Sequence, residues 1–249
     1  MRITVVGCSG SFPGPTSPAS CYLVEADGFA LLLDLGNGAL GALQRQIDLY
    51  AIDAILLSHL HADHCLDLCG YYVARKYVAG GPQPRIDVYG PAGTAERMAR
   101  AYDLPLDPGM REVFDFRPLR PGTLQVGPFT VTAARVNHPV EAYGFRLEHQ
   151  GRAMAYSGDT GESDALVTLA EGADLLLAEA SFLEGRQDPT QGHLTGRQAA
   201  EHAARAGVGR LVLTHLVPWN DPATVLAEAG AGGFRGEIEL ARQGAVYDL

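Results

Sequence analysis

The sequence lacks any apolar run of the roughly 18 residues needed to cross a bilayer, so we expect no membrane segment and no membrane partner. Residues 1–7 have the pattern of a strand. They do not show the longer apolar core and small-residue cleavage site of a signal peptide. Together these absences predict a cytoplasmic protein.

Basic residues are also scarce. The chain carries 19 Lys and Arg against 29 Asp and Glu, a formal net charge of −10, and it has no basic run. A protein that grips a long nucleic acid usually shows a basic face, because neutralising phosphates supplies much of the affinity. The charge balance therefore favours a small substrate over a nucleic acid.

The four cysteines, Cys8, Cys21, Cys65 and Cys69, form no CxxC pair. In a cytoplasmic protein of this size they are expected to be reduced and mostly buried. Cys65 lies beside the main motif described below, but histidine and carboxylate side chains are better ligand candidates there.

The remaining composition is that of a globular protein, with 47% hydrophobic and 19% charged residues in a chain of 249. This length predicts a single domain over residues 1–249 with a sizeable core. Strand-like runs are interleaved with helical patterns, which two sheets with helices outside would accommodate. The predicted strands are residues 3–6, 21–25, 30–34, 54–58, 85–89, 129–136, 143–148, 153–157, 174–178, 210–214 and 237–240. The predicted helices are residues 40–47, 66–78, 94–102, 164–170, 196–206 and 222–229.

The most informative segment, residues 59–64, follows the predicted strand 54–58. It reads HLHADH and contains His59, His61, Asp63 and His64. Imidazole and carboxylate groups are the ligands that zinc and its neighbours take. In a tight loop the first two histidines can point one way and the last two side chains another, which would serve two adjacent ions. A purely structural use for four such residues together is a weak alternative.

Three further candidates follow predicted strands in the same way: His138, Asp159 and His215. Loops at strand ends on a rigid scaffold can converge, so we predict that these side chains join the first four. Seven ligands are enough for two metals, and Asp159 is the candidate for a bridging carboxylate. By contrast, His149 in a predicted turn and His202 in the middle of a helix are interpreted as structural.

The HxHxDH motif resembles that of the metallo-β-lactamase superfamily. Within it, the chain is similar to the tRNase Z branch and to small bacterial cyclic-nucleotide phosphodiesterases, and the likeness runs from Ile3 to about Trp219. The motifs that carry it are GCSGS at residues 7–11, SGDT at 157–160, AEASF at 178–182 and HLT at 193–195. The resemblance implies a four-layer αββα sandwich with the site at one edge of the sheets.

The resemblance also implies roles for the seven candidates. One metal would be held by three histidines, His59, His61 and His138. The second would be held by Asp63, His64 and His215. Asp159 would bridge the two metals. The metals would be Zn²⁺, with Mn²⁺ or iron as alternatives.

His193 would be a proton donor oriented by Glu179. This fits the sequence, because a carboxylate that ends the apolar run 175–178 needs a partner, and a neighbouring carboxylate raises the pKa of an imidazole. The alternative is that His193 is only the loop residue before a helix cap. Asp63 would orient the attacking water, and His193 would protonate the leaving ribose oxygen.

One departure from the tRNase Z pattern concerns the segment between His138 and Asp159. In tRNase Z enzymes it carries a long tRNA-binding arm, whereas here it reads as one hairpin. We therefore expect a metal-dependent phosphodiesterase that acts on a small phosphodiester such as cyclic AMP. The cyclic-AMP assignment rests on likeness in residues 7–11, 17–20, 38–44 and 63–68 alone.

Several alternatives stay open. The chain could be a tRNA 3′-end endonuclease, a hydrolase of another ester, thioester or lactam, or a non-catalytic metal-binding protein.

The loop 7–11 could approach the substrate or be mere turn geometry. Trp219 could stack on a base or be packed. Asp34 is expected to brace the histidine loop, and Asp67 to cap the following helix. A homodimer would be in keeping with relatives.

Overall fold

A computed structural model describes residues 1–186 and 191–249. The strands in this part of the chain are β1 (Arg2–Gly7), β2 (Cys21–Ala26), β3 (Phe29–Leu33), β4 (Ala54–Leu56), β5 (Ile86–Gly90), β6 (Phe114–Pro118), β7 (Gly122–Val126), β8 (Phe129–Arg135), β9 (Tyr143–His149), β10 (Arg152–Tyr156), β11 (Leu175–Glu179), β12 (Arg210–Thr214), β13 (Glu237–Leu240) and β14 (Val246–Asp248). The helices are α1 (Ala39–Leu43), α2 (Ala62–Cys65), α3 (Leu68–Lys76), α4 (Thr94–Ala101), α5 (Asp164–Ala170), α6 (Gly196–Ala206) and α7 (Pro222–Gly230), with a 3₁₀ turn at Leu49–Ala51.

The strands form two mixed sheets. The first has the order β14-β1-β2-β3-β4-β5-β6 and the second the order β13-β12-β11-β10-β9-β8-β7. Strands β3 to β6 run parallel to one another, as do β10 to β13, while the remaining neighbours are antiparallel. Parallel strands need crossover connections, and these carry the helices.

The helices cover the outer faces of both sheets, and the main core lies between the sheets. In the buried strand β11, alternate residues point to opposite faces: Leu175 and Leu177 join the inter-sheet core, whereas Leu176 and Ala178 pack with residues of α5, α6 and α7. A third cluster packs α1, α3 and α4 onto the first sheet. The predicted four-layer α/β sandwich is therefore confirmed.

The sequence prediction missed three strands, β6, β7 and β14. Each is the outermost strand at an edge of its sheet, where one side has no strand partner and the burial signal is weak; in β7, three of the five residues are exposed. The predicted helix 66–78 corresponds to α3, which is two residues shorter at each end, and the short helix α2 precedes it. Asp67 stands at the N-cap position of α3, but its carboxylate accepts from the amide of Leu40 at 2.8 Å and makes no cap bond to its own helix, so the predicted cap was wrong.

The helix at 196–206 has the predicted bounds. Thr195 and Gln198 form a reciprocal capping box, and Gly207 closes the helix in the left-handed conformation. Within the described ranges, 1–186 and 191–249, each helix is too short or too polar to span a bilayer.

Candidate metal centre

The candidate ligands lie on loops that follow strands. His59 and His61 come after β4, His138 after β8, Asp159 after β10 and His215 after β12. These loops approach one another closely enough to require special backbone geometry. Gly158, for example, has φ +57, and a Cβ there would lie 2.7 Å from a neighbouring backbone oxygen.

The seven candidates form two groups that share one carboxylate. The ligand-type atoms within each group all lie within 4.8 Å of one another. The first group is His59, His61, His138 and Asp159, and the second is Asp63, His64, Asp159 and His215. Asp159 is the shared residue, and the two ends of the HxHxDH segment divide between the groups as the sequence pattern predicts.

The interior of this cluster contains polar atoms without partners. His64 Nε2 and Asp159 Oδ1 are fully buried and 3.2 Å apart, yet neither meets the geometry of a hydrogen bond with any described group. Leaving such atoms unsatisfied is costly. A cation between the imidazole nitrogens and carboxylate oxygens would satisfy both. The donor set therefore fits a pair of divalent metal ions, for which zinc, manganese and iron are all suitable.

Local electrostatics keep most of these groups in the state a metal requires. Burial, with contributions from neighbouring histidines, lowers the pKa of His59, His61 and His138, so their imidazoles are neutral near pH 7. Burial opposes ionisation of Asp159. The neighbouring imidazoles, chiefly those of His215 and His64, outweigh it and hold the pKa of Asp159 well below its usual range.

Buried side chains behind the ligands orient them. Asp34, which is fully buried, accepts from the Ser58 amide at 2.6 Å, the Ser58 hydroxyl at 2.8 Å and the Tyr156 hydroxyl at 2.7 Å. It also contacts His64 Nδ1 at 2.8 Å. This leaves Nε2 of His64 facing the cluster. The structure thus places Asp34 in the bracing position that the sequence suggested.

The second brace was not anticipated. Ser181 Oγ lies 2.6 Å from His215 Nδ1 and donates to Glu179 Oε2 at 2.7 Å. His138 is held similarly, with Nδ1 3.0 Å from the Gly192 carbonyl oxygen. The sequence signal that could have identified Ser181 is the AEASF motif, which contains it. Tyr156 and Gly192 are brought to the ligands only by tertiary folding.

Glu179 and His193 form a pair next to both groups. His193 Nδ1 lies 2.8 Å from Glu179 Oε1, and the carboxylate is fully buried. The ring of His193 stacks on His215, with centroids 5.6 Å apart, and meets His138 edge-on at 5.2 Å. Burial lowers the pKa of His193, but the charge and hydrogen bond of Glu179 outweigh it and raise the pKa to about 9. These contacts favour a functional position over that of a simple loop residue before α6.

The glycine-rich loop near residues 7–11 reaches the same cluster. The Ser11 amide lies 3.3 Å from His215 Nε2. A Cβ on Gly10 would lie 2.4 Å from the backbone oxygen of His215, so only glycine permits this approach. The loop therefore contacts a candidate ligand, His215, in addition to turning the chain.

The remaining histidines and the nearby cysteine have structural partners. His149 contacts the Pro128 oxygen and Asp27, and His202 contacts the Ser163 amide. The Cys65 thiol donates to the His61 carbonyl oxygen, and burial raises its pKa to about 12, which disfavours the thiolate that a metal would need.

Comparison with known proteins agrees with this geometry. The profile of the beta-lactamase superfamily domain matches residues 31–216. The protein Rv1339 of Mycobacterium tuberculosis is 45% identical over 239 residues, covering 93% of this chain and 86% of that protein. YhfI of Bacillus subtilis, named as a probable metallo-hydrolase, is 30% identical over the full length of both chains.

Solved structures extend the comparison. The crystal structure of YhfI, a metallo-β-lactamase fold protein, superposes with a TM-score of 0.88 at 29% identity and covers 99% of both chains. The short form of human tRNase Z superposes with a TM-score of 0.78 at 27% identity, covering 100% of this chain and 99% of the human one. On its profile match, its full-length relatives and its histidine and aspartate cluster, the chain belongs to the metallo-hydrolases of the beta-lactamase superfamily.

Proposed function

We propose that this protein is a dinuclear metal-dependent phosphodiesterase that hydrolyses small cyclic nucleotides, with cyclic AMP as the foremost candidate. The observation that carries the proposal is the Glu179–His193 pair beside the two ligand groups. A buried carboxylate holds one imidazole nitrogen at 2.8 Å, which leaves the other free to protonate a leaving alkoxide.

Two bound divalent ions would supply Lewis acidity and lower the pKa of water toward neutrality. The residues that would hold them are the seven of the two groups. Asp63 lies at the cluster with Oδ2 3.0 Å from His215 Nε2, where its second oxygen can orient the attacking water. His193, held protonated by Glu179, donates its proton to the ribose oxygen as the bond to phosphorus breaks.

The approach to the site has the dimensions of a small ligand. His61 is exposed and His138 is half-buried, while the second group is buried, so the first group is the more open to solvent. A cleft of about 390 Å³ borders His61 and is lined by Leu60, Arg97 and Val140. This volume lies within the range of small-molecule sites.

The segment between His138 and Asp159 supports a small substrate over tRNA. It consists of β9 and β10, paired antiparallel with Arg152 opposite His149, so the predicted hairpin is confirmed. Both strands lie inside the second sheet, which supports the expectation that this segment carries no tRNA-binding arm. The net charge of −10 also favours a small substrate over tRNA.

A tRNA 3′-end endonuclease is the second candidate, favoured by the superposition with human tRNase Z. Hydrolysis of another ester or a lactam is compatible with the fold, and a non-catalytic metal protein is the least favoured, because all seven ligand candidates meet.

The test combines metal analysis with a substrate panel. Purified protein would be assayed for bound Zn, Mn and Fe, and then with 3′,5′- and 2′,3′-cyclic AMP, bis(p-nitrophenyl) phosphate, a precursor tRNA and a chromogenic β-lactam. We expect bound metal and hydrolysis of a cyclic nucleotide, both lost in Asp159→Asn and retained in His149→Ala. A fully metallated protein that cleaves only the precursor tRNA or the lactam would overturn the proposal, and so would one inactive on every phosphodiester.

A further inference from the structure

Two aromatic rings lie exposed side by side on the surface. Phe12 and Trp219 have ring centroids 5.0 Å apart at an interplanar angle of 40°. Trp219, the only tryptophan in the chain, is 71% exposed, and Phe12 is 38% exposed. The fold does not use this tryptophan as packing, since most of its surface faces solvent. A large aromatic ring left in water in this way commonly marks a contact surface.

The two rings lie on segments that adjoin the candidate metal centre. Trp219 follows the candidate ligand His215 by four residues. Phe12 follows Ser11, whose amide lies 3.3 Å from His215 Nε2. The two segments are joined directly, because the Gly10 amide donates to the Leu216 carbonyl oxygen at 3.1 Å. Both rings are therefore tied through short stretches of chain to one candidate ligand.

Hydrogen bonds hold the tryptophan segment in place. The side-chain amide of Asn220 donates to the Ser181 carbonyl oxygen at 2.7 Å, and its backbone N–H donates to the Val217 carbonyl oxygen at 2.9 Å. Ser181 is itself the residue that contacts His215 Nδ1. The turn that carries Trp219 is thus fixed relative to the same ligand, as a preorganised recognition surface requires.

We infer that the Phe12–Trp219 pair is a stacking surface for the nucleobase of the substrate. This inference rests on the proposed function, which puts the phosphodiester at the metal centre. A nucleobase presents a flat π-face, and stacking on an aromatic side chain is tolerant of base identity. The exposed indole of Trp219 receives the base, and Phe12, with its ring centroid 5.0 Å away, supports the indole. The surface area of two rings is far smaller than the roughly 800 Å² that each partner buries in a stable protein interface. This favours a small flat ligand over a second copy of the chain.

The single tryptophan allows a direct test by fluorescence. Metal-loaded protein, excited at a wavelength that AMP does not absorb, would be titrated with AMP and, as the matched ligand without a base, with ribose 5-phosphate. We expect saturable quenching by AMP and none by ribose 5-phosphate. Equal responses to both ligands, or no response to either, would refute base stacking.

Kinetics provide the second readout. Trp219→Ala should raise KM for the cyclic nucleotide by about 5- to 150-fold with kcat little changed, and Trp219→Phe should restore most of the loss. Tyr77→Ala is the matched control, since Tyr77 is 65% exposed on the outer helix layer, and it should leave KM unchanged. A Trp219→Ala variant with wild-type KM would contradict the inference. So would one that only converts a dimer to a monomer in sedimentation, because the pair would then be an interface between copies.

The two proposals can fail separately. If AMP quenches Trp219 but no phosphodiester is hydrolysed, the stacking surface stands and the phosphodiesterase proposal falls. If cyclic nucleotides are hydrolysed while Trp219→Ala and AMP titration show no effect, stacking alone is refuted.

Discussion

Replacing His193 by alanine is the sharpest test of the proton-donor role. The imidazole belongs to neither of the two groups that share Asp159, although it forms a third cluster of ligand-type side chains with Glu179 and His215, and it contacts Glu179 at 2.8 Å. Its removal therefore deletes the donor while all seven ligand candidates are retained. The substitution separates loss of chemistry from loss of metal.

The substitution should cost the fold little stability. Glu179 keeps three other hydrogen bonds, from the Thr160 amide at 2.8 Å and from the Ser181 amide and hydroxyl. The buried carboxylate is not orphaned, so the fold loses about one charged hydrogen bond, roughly 1.5–3 kcal/mol. A positioned general acid contributes roughly 10²- to 10⁴-fold to turnover, or about 2.7–5.4 kcal/mol.

The assay compares two leaving groups. Ribose alkoxide departs from a cyclic nucleotide only with a proton, whereas p-nitrophenolate departs from bis(p-nitrophenyl) phosphate largely without one. In His193→Ala, kcat for cyclic AMP should fall by roughly 10²- to 10⁴-fold and kcat for the aryl ester by about tenfold or less. Bound metal, measured on the same sample, should equal that of the wild type and of the control His149→Ala.

Equal losses on both substrates would show that His193 does not protonate the leaving group. A parallel loss of metal would instead make it a ligand or a support of one.

Three further outcomes follow from the same geometry. Glu179→Gln removes the carboxylate that raises the pKa of His193 to about 9. Because the protonated imidazole is the active form, kcat should be lost as pH rises through that pKa, and in the variant this loss should begin at lower pH; an unchanged profile would contradict the pairing. Asp34→Asn, which weakens the brace on His64, should lower metal affinity roughly 10- to 100-fold as measured by competition with a chelator, while an unaltered affinity would leave Asp34 as a packing residue. Chelation of the wild type should abolish activity and, for metal present at 100 times its Kd, remove about 2.7 kcal/mol of stability per site. The melting temperature would then fall by roughly 5–10 °C for each site emptied, reversibly on adding Zn²⁺ or Mn²⁺, and a melting curve insensitive to chelator would argue against bound metal.

Local sequence patterns predicted the interior of the fold well. Strand β11 and helices α5 and α6 lie where apolar runs and caps placed them, because buried central strands and capped amphipathic helices carry strong local signals. The edge strands β6, β7 and β14 were missed for the opposite reason. An edge strand is partnered on one side, so its residues need not be uniformly apolar.

The sequence by itself determined which side chains were available for chemistry: a dense HxHxDH segment, ligand-type residues after three other strands, and a carboxylate at the end of an apolar run. Only the tertiary structure decided how they combine. Asp159 is shared between the two groups, Tyr156 and Ser181 reach the ligands from behind, and Trp219 is open to solvent beside Phe12. The physical reason is that ligand type is a property of each residue, whereas burial and distance arise when segments far apart in the chain pack against each other.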